Sequence, residues 1–157
     1  MDEPDGPPLT VLPSGGIFSA EGDRVRQVDP LGDTQWDAAL AEYPSASFFH
    51  GSAWARVLHD TYGFTPAYFI LGESDRIRAM LPVMEVDSWL TGRRGISLPF
   101  TDDCPPLEAQ AGGFRSLFQA AQAAANTRGW KYLECRGGRA LLGDIPASIS
   151  FWGHRLD

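Results

Sequence analysis

The stretch that decides the fold runs from Ser47 to Leu107. It reads SFFHGSAWARVLHDTYGFTPAYFILGESDRIRAMLPVMEV over residues 47–86 and, after a short break, GRRGISLPFTDDCPPL over residues 92–107. The pattern predicts, in order, a helix, a two-stranded hairpin and a third strand that runs into a polar, proline-flanked loop. No single residue in it points to a chemistry, so the order of the elements carries the information.

The helix of this stretch has a start signal, an apolar face and a stop signal. Ser52 is of a type that caps helix N-termini, and Gly63 stands where glycine commonly ends a helix. The face that we expect to be buried consists of Trp54, Val57, Leu58 and Tyr62.

Two strand-like runs follow, over residues 67–71 and 77–86, and the turn-rich residues 72–75 join them. This arrangement predicts an antiparallel hairpin. Pro82 has no N–H to donate, so a bulge or an edge position is expected in the second strand. A third strand is predicted over residues 94–98, and Pro99 ends it.

Outside this stretch the sequence predicts two further helices. Asp33 caps the first, which Pro44 ends, and the second starts near Gly113 and ends at Arg128-Gly129. Their apolar faces are Trp36, Ala39, Leu40 and Tyr43 in the first, and Phe114, Leu117, Phe118, Ala121 and Ala125 in the second. Further strands are predicted over residues 24–28, 130–135 and 149–156.

These elements predict an α+β or mixed α/β fold, one domain with a central, mostly antiparallel sheet flanked by helices. Residues 1–22 are rich in Pro and Gly and are predicted to be a poorly ordered tail, which leaves the domain to residues 23–157. The chain of 157 residues, 43% of them hydrophobic, can supply one core.

Charge and composition exclude several classes of protein. The net charge of −7 argues against a DNA-binding protein. Two cysteines are too few for a disulfide framework and lack metal-ligand spacing, so no metal site is expected. The N-terminus shows no secretory signal, and no apolar run approaches the roughly 20 residues that span a bilayer. These features predict a cytoplasmic protein without a membrane span.

The residues from 36 to 136, and the segment FWGHRLD at 151–157, resemble the FemAB-like branch of the GNAT acyltransferase superfamily. The resemblance implies a GNAT-like fold and the transfer of acyl or aminoacyl groups to amines of peptidoglycan precursors or exopolysaccharide sugars. Full-length members have two such domains. We therefore expect this chain to correspond to the N-terminal domain and to lack the second one.

The resemblance also bears on the donor. CoA-using GNAT proteins carry an Arg/Gln-x-x-Gly-x-Gly/Ala loop that holds the pyrophosphate, and the nearest look-alike, RGGRA at 136–140, has Arg in place of the first Gly. We therefore expect this half to bind no cofactor. Acyl-CoA or aminoacyl-tRNA would be the donor of the full-length enzyme, handled by the second domain.

The segment 97–106 is the best candidate site, because it follows a strand end and places two carboxylates and a thiol between prolines. The resemblance implies that it borders the acceptor cleft, with Pro99, Phe100, Asp102 and Asp103 as substrate-binding residues. Alternatively, the two aspartates only form turns with their own backbone. Cys104 is interpreted as a small structural residue, since acyl transfer in the superfamily proceeds by direct attack of the amine.

Two more residues are candidate substrate contacts. His50 precedes the predicted helix, where the resemblance places the border of the substrate groove, and its alternative role is that of a loop residue between packed aromatics. Arg136 lies beside two glycines and can bind an anion, and the resemblance adds support because many family members carry a charged residue after this strand; ordinary surface charge is the favoured alternative.

The function predicted from the sequence is the acceptor-binding half of a FemAB-like acyl- or aminoacyltransferase, inactive alone and with no assigned catalytic residue. Its partners would be a small-molecule or lipid-linked sugar or peptide acceptor, and a second GNAT-like domain or another copy of itself. The alternative is a non-catalytic binding module that pairs with a separate domain.

Overall fold

The computed structural model describes residues 17–18, 24–73, 76–101, 104–109, 112–138, 141 and 147–148. Within these ranges the helices are α1 (Trp36–Leu40), α2 (Ser52–Tyr62) and α3 (Gly113–Arg128), and a 3₁₀ turn covers Phe48–His50. The strands are β1 (Ile17–Phe18), β2 (Arg24–Val28), β3 (Thr65–Pro66), β4 (Tyr68–Glu73), β5 (Arg76–Leu81), β6 (Met84–Val86), β7 (Arg94–Ile96), β8 (Leu107–Glu108) and β9 (Leu133–Glu134).

The strands form two sheets instead of the single central sheet that the sequence predicts. The first sheet has the order β1-β2-β4-β5-β8, and all its neighbouring strands are antiparallel. The second has the order β3-β6-β7-β9 and is antiparallel except for the parallel pair β7 and β9. The predicted class, a mixed α/β fold with mostly antiparallel strands flanked by helices, is confirmed in this form.

The two sheets meet at Pro82. The sequence predicts one strand over residues 77–86, with a bulge or an edge at the proline, but the chain leaves the first sheet after Leu81 and enters the second at Met84. Pro82 has no N–H to continue the ladder, which explains the break. The carbonyl of Val83 still accepts a hydrogen bond from the Ala67 N–H at 2.8 Å.

A loop over residues 97–106, which we name the excursion loop, separates β7 from β8. Met84 pairs with Ile96, and a continuous register would bring residue 100 opposite Met80. Leu107 pairs with Met80 instead, seven residues later than a continuous register requires. The chain between the two strands therefore contains an insertion of seven residues. Strands β7 and β8 therefore form one interrupted strand beside β5 and β6.

Helices cover both faces of the first sheet. Successive residues of a strand point to opposite faces, so Tyr68 and Ile70 of β4 pack with α1 and α2, whereas Phe69 and Leu71 pack with α3. Burial on both faces explains why residues 68–71 of β4 are all apolar or aromatic. Each large apolar side chain buried in this way contributes about 1.5–3 kcal/mol.

The predicted start of α2 is wrong. Gly51 is the N-cap residue, and Ser52 is the first residue of the helix. The Ser52 N–H and hydroxyl both donate to the carboxylate of Asp37, at 2.9 and 2.5 Å. A side chain from α1 thus takes the capping role that the sequence assigned to Ser52.

The predicted buried face of α2 is partly wrong as well. Ala55 and Leu58 are fully buried, whereas Val57 and Tyr62 are 42% and 51% exposed. The helix is rotated so that Tyr62 lies at its solvent side. The predicted end is confirmed, since Gly63 adopts the left-handed conformation with φ of 69°.

The other elements agree with prediction in place and differ in length or capping. Helix α3 has the predicted face and ends at Arg128, with Gly129 as its C-cap. The predicted cap and end of α1 are wrong. Its N-cap residue is Gln35, whose N–H donates to the Asp33 carboxylate at 2.9 Å before the helix begins, and the helix ends at Leu40 instead of Pro44. Strands β7 and β9 are shorter than the predicted 94–98 and 130–135. The predicted strand 149–156 lies outside the described residues, as does the predicted tail 1–22 apart from β1.

Candidate functional site

The candidate site begins where two parallel strands separate. Gly95 pairs with Leu133 and Ile96 with Glu134, and the Ser97 N–H still donates to the Glu134 carbonyl at 2.8 Å. Beyond this point β7 continues into the excursion loop. In open sheets, ligands bind outside the carboxyl ends of parallel strands at such points of divergence.

The first residues of the excursion loop have a strained backbone. Leu98 and Phe100 have φ angles of 52° and 64°, in the left-handed region that disfavours residues with a Cβ by about 1–2 kcal/mol each. Leu98 is fully buried, and the Thr101 hydroxyl donates to its carbonyl at 2.8 Å. Phe100 is 59% exposed. This part of the loop therefore buries Leu98 and Pro99 and exposes the Phe100 ring.

Three aromatic rings lie together at this point, and we name them the aromatic platform: Tyr62, Phe64 and Phe100. The ring centres of Tyr62 and Phe100 are 4.7 Å apart, and that of Phe64 lies 5.5 Å from Tyr62 and 6.4 Å from Phe100. The planes of the Phe64 and Phe100 rings are nearly parallel, with an angle of 15° between them. Tyr62 and Phe100 are each more than half exposed, so the platform offers flat apolar surface to solvent.

His50 is buried under the loop. Its Nδ1 accepts a hydrogen bond from the Ser47 N–H at 3.0 Å, so the ring proton resides on Nε2, which donates to the Pro105 carbonyl at 3.0 Å. Burial lowers the pKa of His50. The neutral ring therefore fastens the end of the loop to the turn before α2, and a contact of His50 with an acceptor stays a prediction.

Cys104 and His50 lie close enough to suggest a thiol–imidazole pair. The Cys104 Sγ is 3.4 Å from His50 Nε2, and both side chains are buried. Nucleophilic activation requires an imidazole nitrogen that accepts the thiol proton. Because Nδ1 accepts from Ser47 and Nε2 donates to Pro105, the geometry supports the structural interpretation of Cys104.

Arg136 holds the other side of the loop. Its guanidinium forms a salt bridge from Nε to Glu134 Oε1 at 2.7 Å, and Nη1 donates to the Thr101 carbonyl at 2.9 Å. The Arg136 N–H also donates to the Ser97 hydroxyl at 2.6 Å. Arg136 therefore has a structural role, in which it ties β9 to the loop, and its contact with an anion stays a prediction.

The chain after Arg136 packs closely against the loop. Gly137 and Gly138 both have left-handed φ angles, of 77° and 70°. A Cβ on Gly138 would lie 2.7 Å from Pro106 Cδ. The sequence pattern relates these glycines to a look-alike of the pyrophosphate loop and to anion binding beside Arg136. Their contact with Pro106 joins residues 32 positions apart, which no local pattern reveals.

Of the predicted site residues, the structure brings Phe100 into the platform and places Pro99 beside it in the chain, buried. His50 and Arg136 meet the loop from its two sides. Asp102 and Asp103 lie outside the described residues. Tyr62 and Phe64 were missed, and the signal for them was the aromatic pair flanking Gly63 at the end of α2.

The N-terminus of α3 is occupied by the chain itself. The Glu108 carboxylate accepts a hydrogen bond from the Phe114 N–H at 2.8 Å. Helix N-termini favour anions because their N–H groups are unpaired and the helix dipole is positive there. Glu108 thus supplies that negative charge from within the chain.

A second concave region, which we name the α1 cleft, has a volume of about 740 Å³. Its walls are formed by Gln35, Ala38, Ala39, Glu42, Tyr43, Pro44, Ser45, Arg76, Ile77, Glu108 and Ala109. None of these belongs to the platform or the excursion loop. The cleft is wide open to solvent and mixes both signs of charge, so we assign the site to the platform, where the strained backbone and the diverging strands coincide.

Within the described ranges, no three His, Cys, Asp or Glu side chains are grouped so that they could hold a metal ion. No helix in this part of the chain is long and apolar enough to cross a bilayer.

Among solved structures, a ribosomal-protein-alanine N-acetyltransferase from Brucella melitensis biovar Abortus 2308 superposes with a TM-score of 0.54. The match covers 85% of this chain and 96% of that one, at 14% sequence identity. The chain therefore has a GNAT-type acetyltransferase fold. A second structure, of a probable acetyltransferase, gives a TM-score of 0.49 over 85% of this chain and 99% of its own, at 12% identity.

No protein-family model matches the sequence, and comparison with curated proteins gives no significant match. At 14% identity the acetyltransferase likeness establishes the fold alone. Function has to be argued from the site.

Proposed function

We propose that this chain is the acceptor-binding part of a FemAB-like N-acyltransferase, which transfers an acyl or aminoacyl group to an amine of a cell-wall or polysaccharide precursor. The observation that carries the proposal is the aromatic platform. It lies beside a strained loop at the divergence of two parallel strands, in an acetyltransferase fold.

The strain and the exposure point to ligand binding. A left-handed Phe100 costs free energy that a folding role does not recover, because the ring is 59% exposed. Exposed aromatic rings, here Tyr62 and Phe100, bind the apolar face of a sugar ring or a peptide side chain with little loss of conformational entropy. The platform therefore suits an acceptor that has flat apolar surface as well as an amine.

The chemistry of such an enzyme is the attack of an amine on an ester or thioester carbonyl. The N–C bond forms, the bond from the carbonyl carbon to the donor oxygen or sulfur breaks, and the amine proton is lost to a base. In our proposal Pro99 and Phe100 contact the acceptor, and the carboxylates of Asp102 and Asp103 attract its ammonium group. His50 and Arg136 hold the loop in place.

The α3 N-terminus supports a donor site elsewhere. A CoA pyrophosphate at this helix end would have to displace Glu108 from the Phe114 N–H, or accept a carboxylate beside its own charge. Like charges at this separation repel. We therefore propose that acyl-CoA or aminoacyl-tRNA is held by a second GNAT-like domain, and that this chain alone does not transfer.

Calorimetry tests the acceptor role. The probes are a lysine-containing muramyl peptide and a glucosamine oligosaccharide. We expect one of them to bind, and Phe100→Ala to weaken its binding at least tenfold, about 1.4 kcal/mol. Phe48→Ala is the matched control, since Phe48 is 62% exposed and lies outside the platform. Failure of both probes to bind, or equal binding by Phe100→Ala, would contradict the proposal.

Calorimetry also tests whether this chain binds the donor. We expect no micromolar affinity for acetyl-CoA, which would correspond to about −8 kcal/mol. Such an affinity would identify a self-contained acetyltransferase instead.

The alternative function is that of a non-catalytic module that pairs with a separate domain, and it would use the same platform for that contact. In that case Tyr62 and Phe100 would form part of a protein interface. The two functions differ in the calorimetric result, because only the acceptor-binding protein binds a small amine probe at the platform.

A further inference from the structure

We propose that the hairpin between β6 and β7 is a peripheral anchor that inserts into the surface of an anionic lipid bilayer. The hairpin tip comprises residues 87–93. Its two central apolar side chains, Trp89 and Leu90, are 96% and 73% exposed. The inference rests on this tip alone and does not depend on the function proposed above.

Hydrogen bonds and an ion pair fix the conformation of the tip. The Gly92 N–H donates to the Ser88 carbonyl at 2.6 Å, and Gly92 has a left-handed φ of 81°. At the base of the tip, Arg93 Nε contacts Asp87 Oδ2 at 2.8 Å and closes the loop. These contacts hold Trp89 and Leu90 at the outer end of the hairpin.

Basic side chains surround the apolar tip. Lys131 donates its N–H to the Arg93 carbonyl at 2.8 Å, and its side chain covers Gly92, where a Cβ would lie 2.6 Å from Lys131 Cε. Arg94 contacts the Thr91 hydroxyl at 2.5 Å. Arg93, Arg94 and Lys131 stand against the carboxylate of Asp87, while Glu85, whose charge also acts on Arg93, is paired with Arg128 at 3.4 Å. The three cations and Asp87 give a local balance of +2, in contrast with the −7 of the whole chain.

This combination fits a bilayer better than a protein. Tryptophan is enriched at membrane interfaces, where its apolar ring and polar N–H meet both phases, and each nearby Lys or Arg adds attraction to anionic lipids. One Trp and one Leu supply far less than the roughly 800 Å² per partner of a stable protein interface. They suffice for a shallow, reversible insertion of about 5–10 Å.

Co-sedimentation with vesicles tests the anchor. The protein should sediment with vesicles that contain phosphatidylglycerol and much less with vesicles of phosphatidylcholine alone, and added salt should weaken the binding. The double variant Trp89→Ala/Leu90→Ala should lose at least tenfold in partition coefficient. Lys131→Ala should lose roughly fivefold, as expected for one surface cation.

Two controls make the result specific. Trp89→Phe should keep most of the binding but lose the blue shift of tryptophan fluorescence that insertion produces. Phe48→Ala removes an exposed ring elsewhere and should bind as the unaltered protein does. Circular dichroism verifies that each variant is folded.

Three results would overturn the proposal: no sedimentation with phosphatidylglycerol vesicles, equal binding by the double variant, or a dimer in solution that the double variant dissociates. The last result would assign the tip to an interface between two copies of the chain.

Discussion

The role of His50 in holding the excursion loop predicts a stability loss that can be measured directly. Replacing His50 with leucine removes the hydrogen bonds to the Ser47 N–H and to the Pro105 carbonyl. Each such bond contributes about 1 kcal/mol, and Pro105 is partly buried, so the free energy of unfolding should fall by about 2 kcal/mol. Urea unfolding of His50→Leu measures the change. His59→Leu removes one exposed hydrogen bond, from His59 Nδ1 to the Phe64 carbonyl at 3.0 Å, and serves as the matched control; it should lose less than about 1 kcal/mol.

The contribution of His50 to stability should also depend on pH. Burial lowers the pKa of His50 in the folded chain below the ordinary value of 6.5. As pH falls through 6.5, the unfolded chain therefore binds a proton that the folded chain does not. The contribution of this histidine to stability is present above that pH and declines below it, by at most about 1.4 kcal/mol per pH unit.

The difference in unfolding free energy between the unaltered protein and His50→Leu isolates this group from the other titrating residues. We expect that difference to shrink between about pH 7.5 and about pH 5.5. A variant as stable as the unaltered protein would refute the anchoring role of His50. A difference that stays constant over this range would refute its burial as a neutral ring.

Two further predictions concern the strand pair and the loop. Gly95→Ala should destabilise the fold by about 1–3 kcal/mol, because the added Cβ would lie 2.1 Å from the ring of Trp130. Gly32→Ala is the control and should have almost no effect, since the nearest atom to its Cβ is 3.9 Å away. Urea unfolding measures the stability of both variants. Asp102→Asn and Asp103→Asn should change stability by less than about 0.5 kcal/mol yet weaken acceptor binding at least tenfold in calorimetry. Unchanged acceptor binding in the double variant would leave the aspartates as turn residues only.

The sequence predicts those parts of the fold that local signals control. The periodicity of α3 and the glycine that ends α2 are each decided by a residue and its near neighbours. Element types and order are therefore predictable, together with the mixed α/β class.

The parts that depend on distant contacts could not be predicted. Asp37 caps α2 from 15 residues away, and His50 reaches Pro105 across 55 residues. The seven-residue excursion between β7 and β8 becomes visible only when both are paired with the same neighbouring strand. The platform was missed for the same reason: the exposure of Tyr62 follows from how α2 is rotated against the sheet, which its spacing alone does not decide.

The acceptor site is tested most directly by mapping amide signals in a ¹⁵N–¹H NMR spectrum during titration with the amine probe that binds. We predict that the signals of Tyr62, Phe64, Leu98, Phe100 and Thr101 shift with one common dissociation constant. The residues between 35 and 45 that line the α1 cleft should keep their signals in place: Gln35, Ala38, Ala39, Glu42, Tyr43 and Ser45. Shifts confined to residues 35–45, with the platform signals unmoved, would contradict the assignment of the site.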